Sequence, residues 1–187
     1  MRVLFTLFLV SFFRVSLAIA EEDQREQCQL ALVEDLSGGL ELISPDGSKA
    51  ALAKDGALQP GDLLRTEAGA WVDLRLCDGS GLRVGENSKF YYEGSENERE
   101  SFVAWAFQLI RGSLRAAIVS TGGGERVKFR VRTSSAALGV RGTEFVLDAD
   151  DAGDWETTLH TLEGEVLMGS EAEYEQLGKL RGADQIG

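Results

Sequence analysis

The sequence predicts an all-β protein, either two packed sheets or a short β-solenoid of many short strands. Three observations predict it. Of 187 residues, 22 are Gly and only two are Pro; with frequent Val, Leu and Thr, this suits short strands joined by tight glycine turns. Turn signals recur about every ten residues, the spacing of a sandwich, barrel or sheet solenoid. Apolar and polar residues alternate in several stretches, the signature of a strand with one buried face.

The first twenty residues read as an export leader. Arg2 is the positive start, Val3 to Phe13 is almost wholly apolar, and Ala18-Ile19-Ala20 is an A-x-A cleavage site before Glu21. The apolar run of about 11 residues is short of the ~20 that a membrane-crossing helix needs. Arg14 interrupts it further, and an uncleaved anchor is the alternative. No Cys stands beside the cleavage point to carry lipid. The expectation is a cleaved leader at 1–20 and one exported, soluble domain at 21–187, periplasmic or secreted, without a transmembrane segment. About 165 residues suffice for a single domain with a real core.

Charge narrows the partners. Nineteen basic and 31 acidic residues give a net charge of −12, and loss of Arg2 and Arg14 with the leader takes it to −14. Such a surface repels phosphate backbones, so nucleic acid is excluded as a partner. Two cysteines, Cys28 and Cys77, follow the leader. An oxidising compartment permits a bridge between them. It would close a loop of about 50 residues, worth roughly 4 kcal/mol in the chain-entropy model. Two separate thiols are the alternative.

Along the chain, Leu30 to Ile43 reads as two short strands around Ser37-Gly38-Gly39, with Pro45-Asp46-Gly47 as the next turn. Pro60-Gly61-Asp62 opens another strand. Val72, Leu74 and Leu76 alternate with Asp73, Arg75 and Cys77. Asp78-Gly79-Ser80-Gly81 reverses the chain into Leu82–Val84, and Gly85–Ser88 reverses it again into Phe90–Tyr92. Phe102 to Ile110 is apolar on both strand faces; a buried helix could carry it, but its aromatic and β-branched content favours a strand buried on both sides. Gly122-Gly123-Gly124 is a loop. Val127, Phe129, Val131 and Thr133 then share one face, with Lys128, Arg130 and Arg132 on the other. A small-residue crossing leads through Arg141-Gly142-Thr143 to Thr143, Phe145 and Leu147, again alternating. Thr157–Leu162 and Glu165–Met168 read as a hairpin about Glu163-Gly164.

Candidate chemistry is sparse. Arg141 could bridge a carboxylate in a bidentate pair; flanking apolar strands favour instead a buried Arg tying the crossing to the sheet. His160 is the only histidine, and no His/Cys cluster supplies a metal site or triad. A cross-strand hydrogen bond is its expected role. The acidic runs Glu21–Asp23 and Asp148–Asp154 lack the spacing of a Ca²⁺ loop. The stripe Lys128, Arg130, Arg132 could take an acidic peptide or glycan; pairing with Glu144 and Asp148 on an adjacent strand is the competing expectation. Trp71, Trp105 and Trp155 are the candidates for a sugar platform. No nucleophile elbow, phosphate loop or paired-carboxylate motif appears. The expectation is a non-enzyme without metal or cofactor.

One run is more specific. Val131 to Leu147 reads V-R-T-S-S-A-A-L-G-V-R-G-T-E-F-V-L, with Arg141, Gly142, Thr143, Glu144 and Phe145 at its centre. Upstream stand G-D-L-L-R-T-E-A-G-A (Gly61–Ala70) and L-R-L-C-D-G-S-G-L-R-V-G-E-N-S-K-F (Leu74–Phe90), which contains Asp78-Gly79-Ser80. Leu109–Leu114 and Leu162–Val166 complete the order. Together these motifs resemble the FecR domain family over roughly 30–168. Thr133-Ser134 stands where the family usually reads Thr-Pro, so that turn is less rigid here. The resemblance implies a bacterial extracytoplasmic β-domain whose signature residues are structural.

The members of that family best understood in outline are inner-membrane regulators. A cytoplasmic segment holds a sigma factor, and a periplasmic domain receives a signal from an outer-membrane siderophore transporter. Here a leader stands where the cytoplasmic arm and crossing helix would be. The resemblance therefore implies a periplasmic module that binds an envelope protein, such as an outer-membrane transporter or inner-membrane regulator. The alternative is an envelope-structural or glycan- and peptidoglycan-associated module.

Overall fold

A computed structural model describes residues 29–97, 103–119, 129–150, 156–170 and 172–173. The leader, Cys28, Phe102, Gly122–Gly124, Val127, Lys128, Asp151–Asp154 and Trp155 lie outside them. The fold is all-β. Its strands are β1 (Ala31–Ser37), β2 (Leu40–Ile43), β3 (Lys49–Ala51), β4 (Ala57–Leu58), β5 (Leu63–Thr66), β6 (Trp71–Arg75) and β7 (Gly81–Val84). After these come β8 (Lys89–Asn97), β9 (Val103–Ala117), β10 (Phe129–Arg132), β11 (Ala137–Val140), β12 (Glu144–Ala149), β13 (Thr157–Glu163) and β14 (Val166–Gly169).

These strands join in one continuous, curled sheet whose hinge is β9. One arm runs β4-β1-β6-β7-β9-β12-β13. The other runs β3-β2-β5-β8-β9-β10-β11-β14. All pairings are antiparallel except β9 with β10. Strand β9 serves both arms because it bends at Gly112, where φ is +99°. Its register with β8 ends at Arg111, and its register with β7 begins at Leu114. A Cβ on Gly112 would lie 2.6 Å from Ser88 Cα, so only glycine lets β9 press against the β7–β8 turn.

Inward side chains of both arms meet in one core. Leu74, Val84, Leu114, Phe145 and Leu147 come from the first arm; Leu64, Phe90, Tyr92, Trp105, Phe107, Phe129 and Val131 from the second. Phe107 is the hub of an aromatic stack, with ring centroids 4.8 Å from Tyr92, 5.1 Å from Phe90 and 5.3 Å from Phe129. The alternation expected at Phe129, Val131 and Thr133, and at Thr143, Phe145 and Leu147, is present, and all six residues are buried.

Several expectations need correction. The ambiguous apolar segment is a strand, but it continues to Ala117, and only its Trp105–Phe107–Leu109 face lies wholly in the core; Ile110 is half-buried. The small-residue stretch is itself a strand, β11, hairpin-paired with β10 and buried throughout. Of the run Val131–Leu147, only residues 141–143 cross between arms. Strands β13 and β14 form no hairpin: β13 pairs with β12, and β14 with β11 in the other arm. A glycine turn reads alike in sequence whether the chain folds back or crosses over.

Candidate functional site

The family-like motif at 141–145 is a crossing. Gly142 (φ +61°) turns the chain from β11 into β12, and Gly164 (φ +82°) turns it from β13 into β14. The two crossings stack. Thr143, 2% exposed, donates its hydroxyl to Glu165 O at 2.8 Å. A Cβ on Gly164 would come 2.9 Å from Gly142 O. Thr143 O also accepts Ile118 N–H at 3.0 Å, fixing the end of β9. Arg141 is exposed, not buried, because it stands at the outside of the turn. Thr143 is the tie that Arg141 was expected to be. Glu144 pairs outward with Arg115 of β9 (Nε to Oε1, 3.0 Å), and Phe145 is core.

Asp78-Gly79-Ser80 has a similar structural task. Asp78 Oδ1 accepts Ser80 N–H at 2.9 Å, and the buried Ser80 hydroxyl accepts Val119 N–H at 3.0 Å. This turn therefore caps β9 from the opposite side. Cys77, just before it, is exposed and disulfide-bonded.

The basic stripe does not face Glu144 and Asp148. Strand β10 lies between β9 and β11, whereas β12 borders the other half of β9. Arg132 pairs instead with Glu93 of β8, Nε to Oε1 at 2.9 Å, and Arg130 lies 3.9 Å from the same carboxylate. Ala106 of β9 intervenes, opposite both Gly94 and Arg130, and is small enough for the guanidiniums to reach across it. Glu93 thus pairs with both described arginines of the stripe, and closely only with Arg132.

The outer face of the first arm carries a ladder of arginine–carboxylate pairs. Arg75 Nε and Nη2 donate to Glu34, both at 2.8 Å, and Arg75 Nη1 donates to Gly79 O at 2.9 Å. Arg83 holds Asp73 in a bidentate pair at 2.6 and 2.7 Å. Hydrogen bonds donated to Glu34 and Asp73 raise the pKa of Arg75 and Arg83 above the ordinary arginine value. These pairs are exposed, so each contributes little stability. With their hydrogen bonds made, Arg75 and Arg83 form a solvated face.

Neither of the two described sugar-platform candidates is a free platform. Trp105 is 1% exposed. Trp71 is half-buried, with the Arg83 guanidinium 4.6 Å above its ring. Trp155 lies outside the described residues. Among the described residues no group of three or more His, Cys, Asp or Glu could hold a metal, and no helix is long and apolar enough to cross a membrane.

A sheet edge is the other binding surface that the sequence leads one to expect, and the structure locates one at β13. Among the described residues β13 pairs only with β12. Asp150 N–H donates to Glu156 O at 3.0 Å, which sets the alternation of the ladder. Glu156, Thr158 and His160 direct their backbone groups at β12; Thr157, Leu159 and Thr161 direct theirs to the open side. His160 is exposed opposite Val146, so the expected side-chain bond across the ladder has no acceptor there. Both ends of β13 are tied down. Thr157 Oγ1 lies 2.7 Å from both Thr133 Oγ1 and Ser135 Oγ, and the Thr143–Glu165 bond fastens the other end.

A sequence model of the FecR protein family matches residues 62–167, more than half of the chain. The chain belongs to the FecR family. The family is one of bacterial envelope-associated domains connected with signalling. The matched range begins at the buried Asp62 turn and ends in β14, so it spans the hinge strand and both stacked crossings of the FecR fold. No curated protein matches the chain. Among solved structures, a "Cell surface anchoring domain" is similar over 33% of this chain and 80% of its own length, at 20% identity and a TM-score of 0.31.

Proposed function

We propose that this FecR-family chain is a non-catalytic interaction module of the bacterial envelope, exported to the periplasm or beyond and accessory to signalling of the siderophore-transporter type. Its curled sheet acts as two layers closed over the aromatic core. The observation that carries the reading is the β13 edge, which among the described residues pairs only with β12, is tied at both ends and is backed by core residues. Such an edge offers ordered backbone donors and acceptors to an extended segment of another protein. The basic stripe is the weaker surface, since Glu93 already engages Arg130 and Arg132.

The test is affinity co-purification of the tagged protein from its native envelope, with mass spectrometry of what accompanies it. A transporter or membrane regulator should be recovered with the wild type and lost with Thr161→Pro, which removes one outward N–H while leaving the β12 ladder intact. Recovery of peptidoglycan alone, or of nothing, would overturn the proposal.

A further inference from the structure

The β13 edge carries a charge pattern that narrows its occupant. Its outer face is acidic at both ends: Asp148 of β12 and Glu156 at one, and at the other Glu163, which a bulge at Leu162 places opposite Glu144; all three are exposed. Between them the outer face presents Thr158 and His160, and the inner face Thr157, Leu159 and Thr161, with Leu159 packed on the core. The other edges are poorer templates. Strand β3 has three residues and carries Lys49, β4 has two, and β14 has four. Strand β13 has seven, with neither Pro nor Lys.

A second copy of the chain fits this edge badly. Antiparallel self-pairing must centre on a residue, because adjacent pairs alternate in type. Centred on Leu159 or His160, it would set Glu156 of one copy opposite Leu162 or Gly164 of the other, one residue from Glu163, at both ends. Like charges so near repel, and each chain already carries −12. The acidic ends therefore disfavour self-association and favour an occupant of opposite sign.

We propose that β13 docks an extended segment of another protein that is basic at two outward positions about six residues apart and apolar at the inward positions between them. The segment would bond to the backbone of Thr157, Leu159 and Thr161, cover Leu159 with its apolar side chains, and set its cations beside Glu156 and Glu163. This rests on the interaction-module reading above, and it names the chemistry of the partner.

The probe is an end-capped peptide, Lys-Val-Thr-Val-Thr-Val-Lys, titrated into the isotopically labelled protein as its host processes it. Amide shifts and slowed hydrogen exchange at Thr157, Leu159 and Thr161 are expected. The same peptide with glutamate ends should bind about ten-fold more weakly, and one with proline at the central position should lose the effect. The double variant Glu156→Lys/Glu163→Lys should reverse the charge preference. Equal binding of all three peptides, or outward amides already protected in the free protein, would overturn the assignment. So would a dimer in sedimentation that Thr161→Pro abolishes. If the double variant still captures the wild-type envelope partner, this inference fails while the module reading stands; if the wild type captures none, the module reading fails first.

Discussion

If the motif at 141–145 is architecture, its members should differ in stability cost according to burial. Thr143→Val keeps the shape of a side chain that is 2% exposed and deletes the hydroxyl that donates to Glu165 O. A net hydrogen bond contributes about 0.5–1.5 kcal/mol, and a stranded buried partner adds about 1–3. Glu165 is exposed, so water can replace the hydroxyl at its carbonyl. The expected loss is therefore about 1–2 kcal/mol. Arg141→Ala, at an exposed position, should stay within about 0.5 kcal/mol. Glu144→Gln weakens an ion pair whose members are 31% and 59% exposed and should cost less than about 1 kcal/mol. Urea unfolding of the three variants gives the ranking directly, provided the slope is unchanged and the midpoint alone moves. A chain of this length should lose roughly 2–4 °C of melting temperature per kcal/mol. An Arg141→Ala loss equal to or above that of Thr143→Val would refute the argument, because the exposed guanidinium would then carry the crossing.

Three further outcomes are expected. Gly112→Ala should cost more than about 2 kcal/mol in thermal melts, since positive φ and the 2.6 Å approach to Ser88 Cα act together; a loss under half that would mean that β9 needs no bend there. Phe129→Ala should cost about 3–5 kcal/mol as a core aromatic and Arg130→Ala less than about 1, and equal small losses would show the faces of β10 reversed. Asp46 should titrate below 3.8 by NMR, because the Ser48 side chain and then the Ser48 N–H bond its carboxylate, and Ser48→Ala should raise the midpoint. Its folded value is depressed, so its contribution is present above the unfolded value and fades as pH falls through the folded one; an unchanged midpoint in Ser48→Ala would remove the hydroxyl from the account.

Period two was enough to read the faces of β10 and β12, because Phe129, Val131, Phe145 and Leu147 alternate with charges and one face of each strand is core. Turn positions were legible for the same kind of reason: Pro45-Asp46-Gly47 and Asp78-Gly79-Ser80 carry residues whose side chains close local bonds. The destination of the chain after a turn was not. Glu163-Gly164 suits a hairpin as well as a crossing, and the choice is made by the remote contact with Gly142 and Thr143. Nor could sequence find Glu93 as the partner of Arg132. That pair spans an intervening strand: β10 joins one side of β9 in parallel register, and β8 joins the other. A sheet edge was an expected binding surface, but which strand forms it was not legible: β13 alternates like any half-buried strand, and only its pairing reveals that one side has no neighbour among the described residues.

The stacked crossings and the edge are one mechanical unit. Thr143 fastens the chain just beyond the C-terminal end of β13 through Glu165, while Thr133 and Ser135 hold Thr157 at its N-terminal end. Thr133 also orders its own turn by accepting Ala136 N–H at 3.0 Å, the work that a proline would otherwise share. An edge strand free at either end would fray, and a partner would have to order it on binding at a cost in affinity. Here both ends are anchored to buried threonines, Thr133 and Thr143. The signature residues thus need not touch a partner to matter for binding: they hold Thr157, Leu159 and Thr161 in line, while the acidic residues around the edge select what pairs with them.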